Sequence, residues 1–240
     1  MRPKQNDRER RDTLVHTESG TDFRENHDDT TPGEIFFGGT FDPIHIGHLM
    51  IASEACEILG CRRVLFVPAG QNPLKKDIPG ASGSHRLAMV RLAIAGDTRF
   101  SASSREIERD GPSRTFDTVR TLIQEGALIT RPWIVIGEEL LPNLDRWYRI
   151  DDLLKQVRLA VVGRPGEDRC DDRSTSPLPE AFTSLTTRTG TTPRFIGNPR
   201  LRLSATELRE RLFQRRIVRY LVPDSVYGYI EEHRLYRQRD

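Results

Sequence analysis

Ile35-Phe36-Phe37-Gly38-Gly39-Thr40-Phe41-Asp42-Pro43-Ile44-His45-Ile46-Gly47-His48-Leu49 is the stretch from which the fold can be read. A short run dominated by β-branched and aromatic residues meets two glycines, which reads as a buried strand ended by a turn. Asp42-Pro43 marks the turn, and the fixed φ of proline suits entry into a helix. Ile51, Ala55, Ile58 and Leu59 then fall at helical spacing, with Gly60 where a C′ glycine belongs. Strand, glycine turn and helix start together make an anion site, because unpaired N–H groups and the helix dipole both favour a phosphate. His45 and His48, three apart and so on one helix face, add two imidazoles to it.

Outward from this stretch the same alternation continues. Arg63–Val67 is a second buried strand, stopped by Pro68-Ala69-Gly70, so strand, helix and strand imply a parallel βαβ unit with a right-handed crossover. Ser84 can cap a helix with Leu87, Val90 and Ile94 on its apolar face, and Phe100–Ser103 offers a weak third strand. Pro112–Thr115 opens a helix that turns Phe116, Val119, Leu122 and Ile123 inward. Trp133–Gly137 and Arg158–Val162 read as strands, with Trp147, Ile150, Leu154 and Val157 spaced for burial on a helical stretch between them. Arg194–Ile196 is a sixth, short strand. Ser204-Ala205-Thr206-Glu207 has the spacing of a capping box, and a last helix lies around Ser225–Glu232. Strands alternating with helices predict a Rossmann-like, doubly wound parallel α/β sheet of five to six strands in a single domain. Ligands bind such sheets beyond the carboxyl ends of the strands, where strand order reverses, and the first strand flanks that point.

The domain is expected over residues 34–240. Residues 1–33 carry little apolar surface and read as a flexible N-terminal extension, and the Ser-, Thr-, Pro- and acid-rich stretch 167–193 reads as an exposed, mobile insertion. The 240 residues hold 37 basic and 35 acidic side chains, a formal net charge of +2, which argues against a nucleic-acid partner. No apolar run approaches the roughly 18 residues that span a bilayer, so no membrane association is expected. Cys56, Cys61 and Cys170 form neither an even framework nor a CxxC pair, which points to reduced thiols in a cytoplasmic protein. The two histidines have no HExxH or cysteine partners, so no protein-held metal is expected. The glycine pattern is not GxGxxG, which disfavours a nicotinamide or flavin dehydrogenase.

Gly38–His48 resembles the signature of the nucleotidylyltransferase superfamily. His45-Ile46-Gly47-His48 also matches class I aminoacyl-tRNA synthetases, but the chain shows neither a KMSKS-like loop nor a tRNA-binding domain. Leu203-Ser204-Ala205-Thr206-Glu207-Leu208-Arg209 resembles the ISSTxIR motif of small adenylyltransferases instead. Arg105–Arg109 with Pro112-Ser113-Arg114-Thr115, Ile136–Leu140 with Trp147-Tyr148, and Gly163–Gly166 narrow the resemblance to the bacterial nicotinate-nucleotide adenylyltransferases, over nearly all of Ile35–Tyr236.

That resemblance implies adenylyl transfer from ATP to nicotinate mononucleotide, in NAD biosynthesis, with Mg²⁺ accompanying ATP. It implies His45, His48, Lys75 and Arg209 as the catalytic set. Gly38, Gly39, Thr40, Phe41, Gly137, Glu139, Ser204 and Thr206 fall to ATP, and Thr115, Trp147, Tyr148 and Arg164 to the mononucleotide. Three residues depart from the family pattern: Leu74 precedes Lys75 where many members have histidine, Glu139 replaces aspartate, and Arg114 replaces tyrosine. A related adenylyl- or cytidylyltransferase with another phosphate acceptor, or a nucleotide-binding regulator without catalysis, is the alternative. The preference for nicotinate over nicotinamide stays open, as does the oligomeric state, a homo-oligomer included.

Overall fold

A computed structural model of the chain describes residues 33–70, 80–163, 178–197 and 203–237. The run around Phe36 is strand β1 (Gly33–Gly39); α1 (Ile46–Ile58) follows the turn, and β2 (Cys61–Pro68) returns parallel to β1. Next come α2 (Gly83–Ile94), β3 (Phe100–Ala102), the single-turn α3 (Arg105–Glu108), α4 (Thr115–Gln124) and β4 (Trp133–Gly137). A 3₁₀ helix (Glu138–Arg146), α5 (Ile150–Gln156), β5 (Arg158–Val162), α6 (Glu180–Thr189), β6 (Arg194–Ile196), α7 (Ala205–Phe213) and α8 (Asp224–Glu232) complete the order. The strands form one sheet, β3-β2-β1-β4-β5-β6, in which every pair is parallel. Strand order reverses between β1 and β4, so the expected doubly wound sheet is the one observed, with six strands among the described residues.

Strand residues alternate between two cores. Ile35, Phe37, Val64, Phe66, Val135 and Ala160 pack with residues of α1, α2, α7 and α8, including Ala52, Met89, Leu208 and Ile230. Phe36, Leu65, Val67, Ile134, Ile136 and Val161 face the other way, onto Phe116 and Leu122 of α4, Leu153 of α5 and Phe182 of α6. With helices on both faces, both sides of each strand are buried, which is why β1, β2, β4 and β5 read as unbroken apolar runs.

Local details differ from expectation in three places. The N-cap of α2 is Ser82, whose Oγ accepts from the His85 N–H at 3.3 Å, while Ser84 sits in the first turn with its hydroxyl 2.8 Å from that of Ser82. Trp147 and Ile150 do not share a helix: the 3₁₀ segment contains Pro142 and ends before Trp147, and Arg149 takes a left-handed conformation (φ 52°) before α5 begins. Proline removes the N–H that an α-helix would need there. Of the stretch 167–193, residues 167–177 lie outside the described residues, but 180–189 form α6, which is integral to the core: Phe182 and Leu185 are fully buried. Two apolar residues three apart suffice for a helix to dock when a groove awaits them. Phe182→Ala is therefore expected to lower stability by about 3–5 kcal/mol, read as a reduced denaturation midpoint in urea at unchanged slope.

Candidate active site

The glycines that end β1 and β4 meet where strand order reverses, and the turn between β1 and α1 rises from that point. Phe41, with φ at 50°, turns its ring into the core between Phe37 (5.7 Å, edge on) and Phe66 (5.7 Å). His45 is the N-cap of α1 and is 5 % exposed. Its ring stacks on that of His48 at 3.7 Å, and its backbone N–H donates to His48 Nδ1 at 3.2 Å. An accepting Nδ1 leaves the proton of the neutral imidazole on Nε2, so the backbone selects the tautomer in which His48 offers Nε2–H as a donor. Burial pushes the His45 imidazole down to about 4, so this ring stays neutral at physiological pH.

Asp42 fastens this turn to three distant segments. Its carboxylate, 1 % exposed, accepts from the Gly80 N–H (2.7 Å), the Ala81 N–H (3.1 Å) and the Tyr236 hydroxyl (2.7 Å). Arg209 on α7 donates Nη1 to the Asp42 carbonyl at 2.8 Å, and the same nitrogen lies 3.6 Å from Oδ2. Burial, and then the neighbouring Asp42 charge, raise the Tyr236 phenol, so it remains a donor. The leading N–H of α1, at Ile46, is taken by the Leu221 carbonyl at 3.1 Å. The structure thus brings Arg209 to the histidine turn, with Thr206 bonded to it. Ser204 Oγ caps α7 by accepting from the Glu207 N–H at 3.1 Å, and Arg209 Nη2 donates to Thr206 Oγ1 at 3.3 Å. Only half of the expected capping box forms, because the Glu207 carboxylate pairs with Arg211 at 2.9 Å.

Behind the turn lies Arg86, 1 % exposed, which the sequence reading overlooked. Its guanidinium donates to the carbonyls of Thr40 (2.7 Å), Ala81 (3.3 Å) and Gly70 (3.4 Å), joining the ends of β1 and β2 to the start of α2. The available signal was its spacing: Arg86, Val90 and Ile94 are four apart on the buried side of α2. Gly70 is gripped from its other side by Ser113 Oγ, which accepts its N–H at 2.9 Å, and a side chain there would strike the Glu106 carbonyl. Glu106 is buried and its carboxyl is raised by burial, against the opposing hydrogen bonds of Ser113 and Thr118.

Across the switch point, Glu139 folds its carboxylate back over Gly137, leaving no room for a Cβ at that position. Trp147 packs half-buried against the core that contains Phe116, while Tyr148 is 46 % exposed, with Arg114 over its ring at 4.1 Å. Thr115 is the first residue of α4, beside Arg114. Lys75 and Arg164 lie outside the described residues. Among the described residues no group of three or more His, Cys, Asp or Glu side chains is placed to hold a metal ion, and no helix is long and apolar enough to cross a membrane.

The cytidylyltransferase-like family profile matches residues 36–211. The chain is 44% identical over 199 residues to the probable nicotinate-nucleotide adenylyltransferase of Herpetosiphon aurantiacus, covering 83% of this chain and 96% of that one. The probable nicotinate-nucleotide adenylyltransferase of a Roseiflexus species is likewise 44% identical, over 200 residues, with 83% and 96% covered. The fold matches that of Plasmodium falciparum nicotinic acid mononucleotide adenylyltransferase complexed with NaAD, with a TM-score of 0.64 at 17% identity, over 86% of this chain and 98% of that one.

Two stability measurements probe this geometry. Because the His45 ring stays neutral down to about 4 while an unfolded histidine protonates below its ordinary 6.5, the unfolded chain binds more protons between those values. Stability is accordingly retained above pH 6.5 and declines toward pH 4, by about 3 kcal/mol from this residue. His45→Gln should flatten that part of the stability–pH curve. Tyr236→Phe, which strips one donor from a buried carboxylate, should cost about 1–3 kcal/mol in urea unfolding.

Proposed function

The chain belongs to the nicotinate-nucleotide adenylyltransferase family, and we propose that the turn between β1 and α1 carries out that family's adenylyl transfer. The 5′-phosphate of nicotinate mononucleotide attacks the α-phosphorus of ATP. A new P–O bond forms there, the bond to the β-phosphate oxygen breaks, and the products are deamido-NAD and pyrophosphate. The attacking phosphate is already ionised near neutral pH, so the chemistry needs no protein nucleophile. It needs in-line positioning and donors aimed at charge that develops on the phosphorus and the leaving group.

One observation carries this reading: the His45 N–H donates to His48 Nδ1, which fixes the tautomer with the His48 proton on Nε2 at the head of α1. We assign that donor to an α-phosphate oxygen. The neutral, stacked ring of His45 fixes the plane of His48 and adds its own contact to the phosphates. Arg209, anchored through Nη1 and Nη2, retains further N–H donors in its planar fork for the departing pyrophosphate. Lys75 is assigned to the same phosphates. Gly38, Gly39, Thr40 and the backbone of Phe41, with Ser204 and Thr206, are assigned to ATP, as are Gly137 at the end of β4 and Glu139 in the 3₁₀ helix that follows. Trp147 is assigned to stack on the nicotinate ring, with Tyr148, Thr115 and nearby backbone amides reading its carboxylate, and Arg164 is assigned to the mononucleotide as well. With no group of three or more His, Cys, Asp or Glu side chains among the described residues placed to hold a metal, Mg²⁺ accompanying ATP would supply charge neutralisation on its phosphates. The free thiols of Cys56 and Cys61 support a cytoplasmic setting for the reaction.

Pyrophosphate release from ATP should be supported by nicotinate mononucleotide far better than by phosphopantetheine, compared side by side. Preference for phosphopantetheine would overturn the acceptor assignment. His48→Gln should lower kcat by about a hundredfold or more while leaving the KM for the mononucleotide within a few-fold, as for loss of one preorganised donor.

A further inference from the structure

Among the described residues two histidines lie outside the histidine turn, and the packing of α2 against α8 brings them together. His85 is in the first turn of α2, and His233 is the C-cap residue of α8. Their ring centres are 5.1 Å apart, with the planes inclined at 55°. Two imidazoles bound to one tetrahedral ion, at metal–nitrogen distances of about 2.0–2.1 Å, put their ring centres roughly 5 Å apart. The His45–His48 pair is different: its rings stack at 3.7 Å with only 23° between planes, so in-plane lone pairs run side by side and do not converge on one ion. Tyr229, one turn before His233, completes the cluster. Its hydroxyl lies 2.9 Å from His85 Nδ1, and its ring centre is 4.1 Å from that of His233. A hydroxyl accepts as well as donates, so it can hold the tautomer in which His85 Nδ1 carries the proton and Nε2 keeps its lone pair. A metal-bound imidazole ordinarily receives this kind of support at its other nitrogen. His233 is exposed, and among the described residues its side chain has no hydrogen bond or ion pair. The end of a helix, where His233 sits, is also where the dipole favours a cation.

We propose that His85 and His233 form a binding site for a divalent transition-metal ion such as Zn²⁺, with Tyr229 orienting His85 and water filling the remaining positions. Imidazole nitrogen suits Zn²⁺, whereas Mg²⁺ takes oxygen ligands, so this ion is distinct from the one that accompanies ATP. No third His, Cys, Asp or Glu among the described residues joins the pair, which makes the site an exchangeable one. Gly80 and Ala81, just ahead of α2, and Tyr236, just beyond α8, all donate to Asp42. An ion that joins His85 to His233 therefore ties together the two segments that hold the histidine turn, and it stabilises the folded chain by binding it in preference to the unfolded one.

The test is calorimetric titration of the full chain, free of nucleotide, with Zn²⁺ alone and with Mg²⁺ alone. The unmutated chain should bind Zn²⁺ and show no comparable binding of Mg²⁺. Tyr229→Phe, which leaves both ligands in place, should weaken Zn²⁺ binding about ten- to hundredfold, the size of effect when the partner of a metal-bound histidine is removed. His233→Ala should weaken it at least as much. Because His233 is exposed, that substitution leaves the fold intact. Zn²⁺ should also raise the urea midpoint of the unmutated chain and leave that of His233→Ala unmoved. Three results would each overturn the proposal. One is a failure of the unmutated chain to bind Zn²⁺. Another is unchanged binding in His233→Ala, which would put the ion at the thiols or at the histidine turn. The third is unchanged binding in Tyr229→Phe, the mark of two surface histidines that meet an ion by chance. None of these readouts depends on turnover, so the inference stands or falls apart from the adenylyl-transfer reading.

Discussion

A carboxylate 1 % exposed to solvent is costly unless every lone pair finds a donor, and the histidine turn is built around that demand. Asp42 satisfies it with two backbone amides ahead of α2, a phenol beyond α8, and the guanidinium of Arg209 on α7. Removing one member of such a group leaves a buried charge under-paired, a loss of about 3–5 kcal/mol when an ion pair is broken this way. The turn is thus held by side-chain chemistry from elements that the chain makes much later, in addition to its own backbone. Arg86 does the complementary job with opposite sign: a buried cation that collects three carbonyls and aligns the ends of β1 and β2.

This arrangement separates two tasks on either side of the sheet. The histidine pair, α7 and the Asp42 anchors belong to the face covered by α1, α2, α7 and α8. Arg114, Phe116 and Tyr148 belong to the face covered by α4, α5 and α6. Between them runs the reversal of strand order at β1 and β4. Two reacting phosphates delivered from opposite sides of such a crevice can meet in line, which is the geometry that displacement at phosphorus requires.

The strands were legible because burial on both faces makes their composition apolar at every position, and Ile35–Phe37, Val64–Val67 and Ile134–Ile136 are such runs. The histidine turn was legible because its chemistry is packed into consecutive residues. What escaped was chemistry distributed across the chain. Arg86 presents itself in sequence as one more charged residue on a helix, and only its phase against Val90 and Ile94 marks it as interior. The bond between Asp42 and Tyr236 spans 194 residues and has no local signature at either end. Helix α6 was hidden by its threonines: four of its ten residues are Thr, and all four hydroxyls bond back to carbonyls three or four residues earlier. Trp147 followed helical spacing by coincidence, since Pro142 and the left-handed Arg149 place it on an irregular link.

The same Asp42–Tyr236 bond puts a clock on the birth of each molecule. A ribosome adds roughly 5–20 residues per second, so the 194 residues between these partners take about 10–40 s to synthesise. For all of that time the histidine turn exists as covalent sequence while the phenol that completes the coordination of Asp42 has not been made. A nascent chain holding β1, α1 and both histidines therefore has the reactive groups without their geometry. Until then the Asp42 carboxylate lacks one of the donors that hold the histidine turn in place.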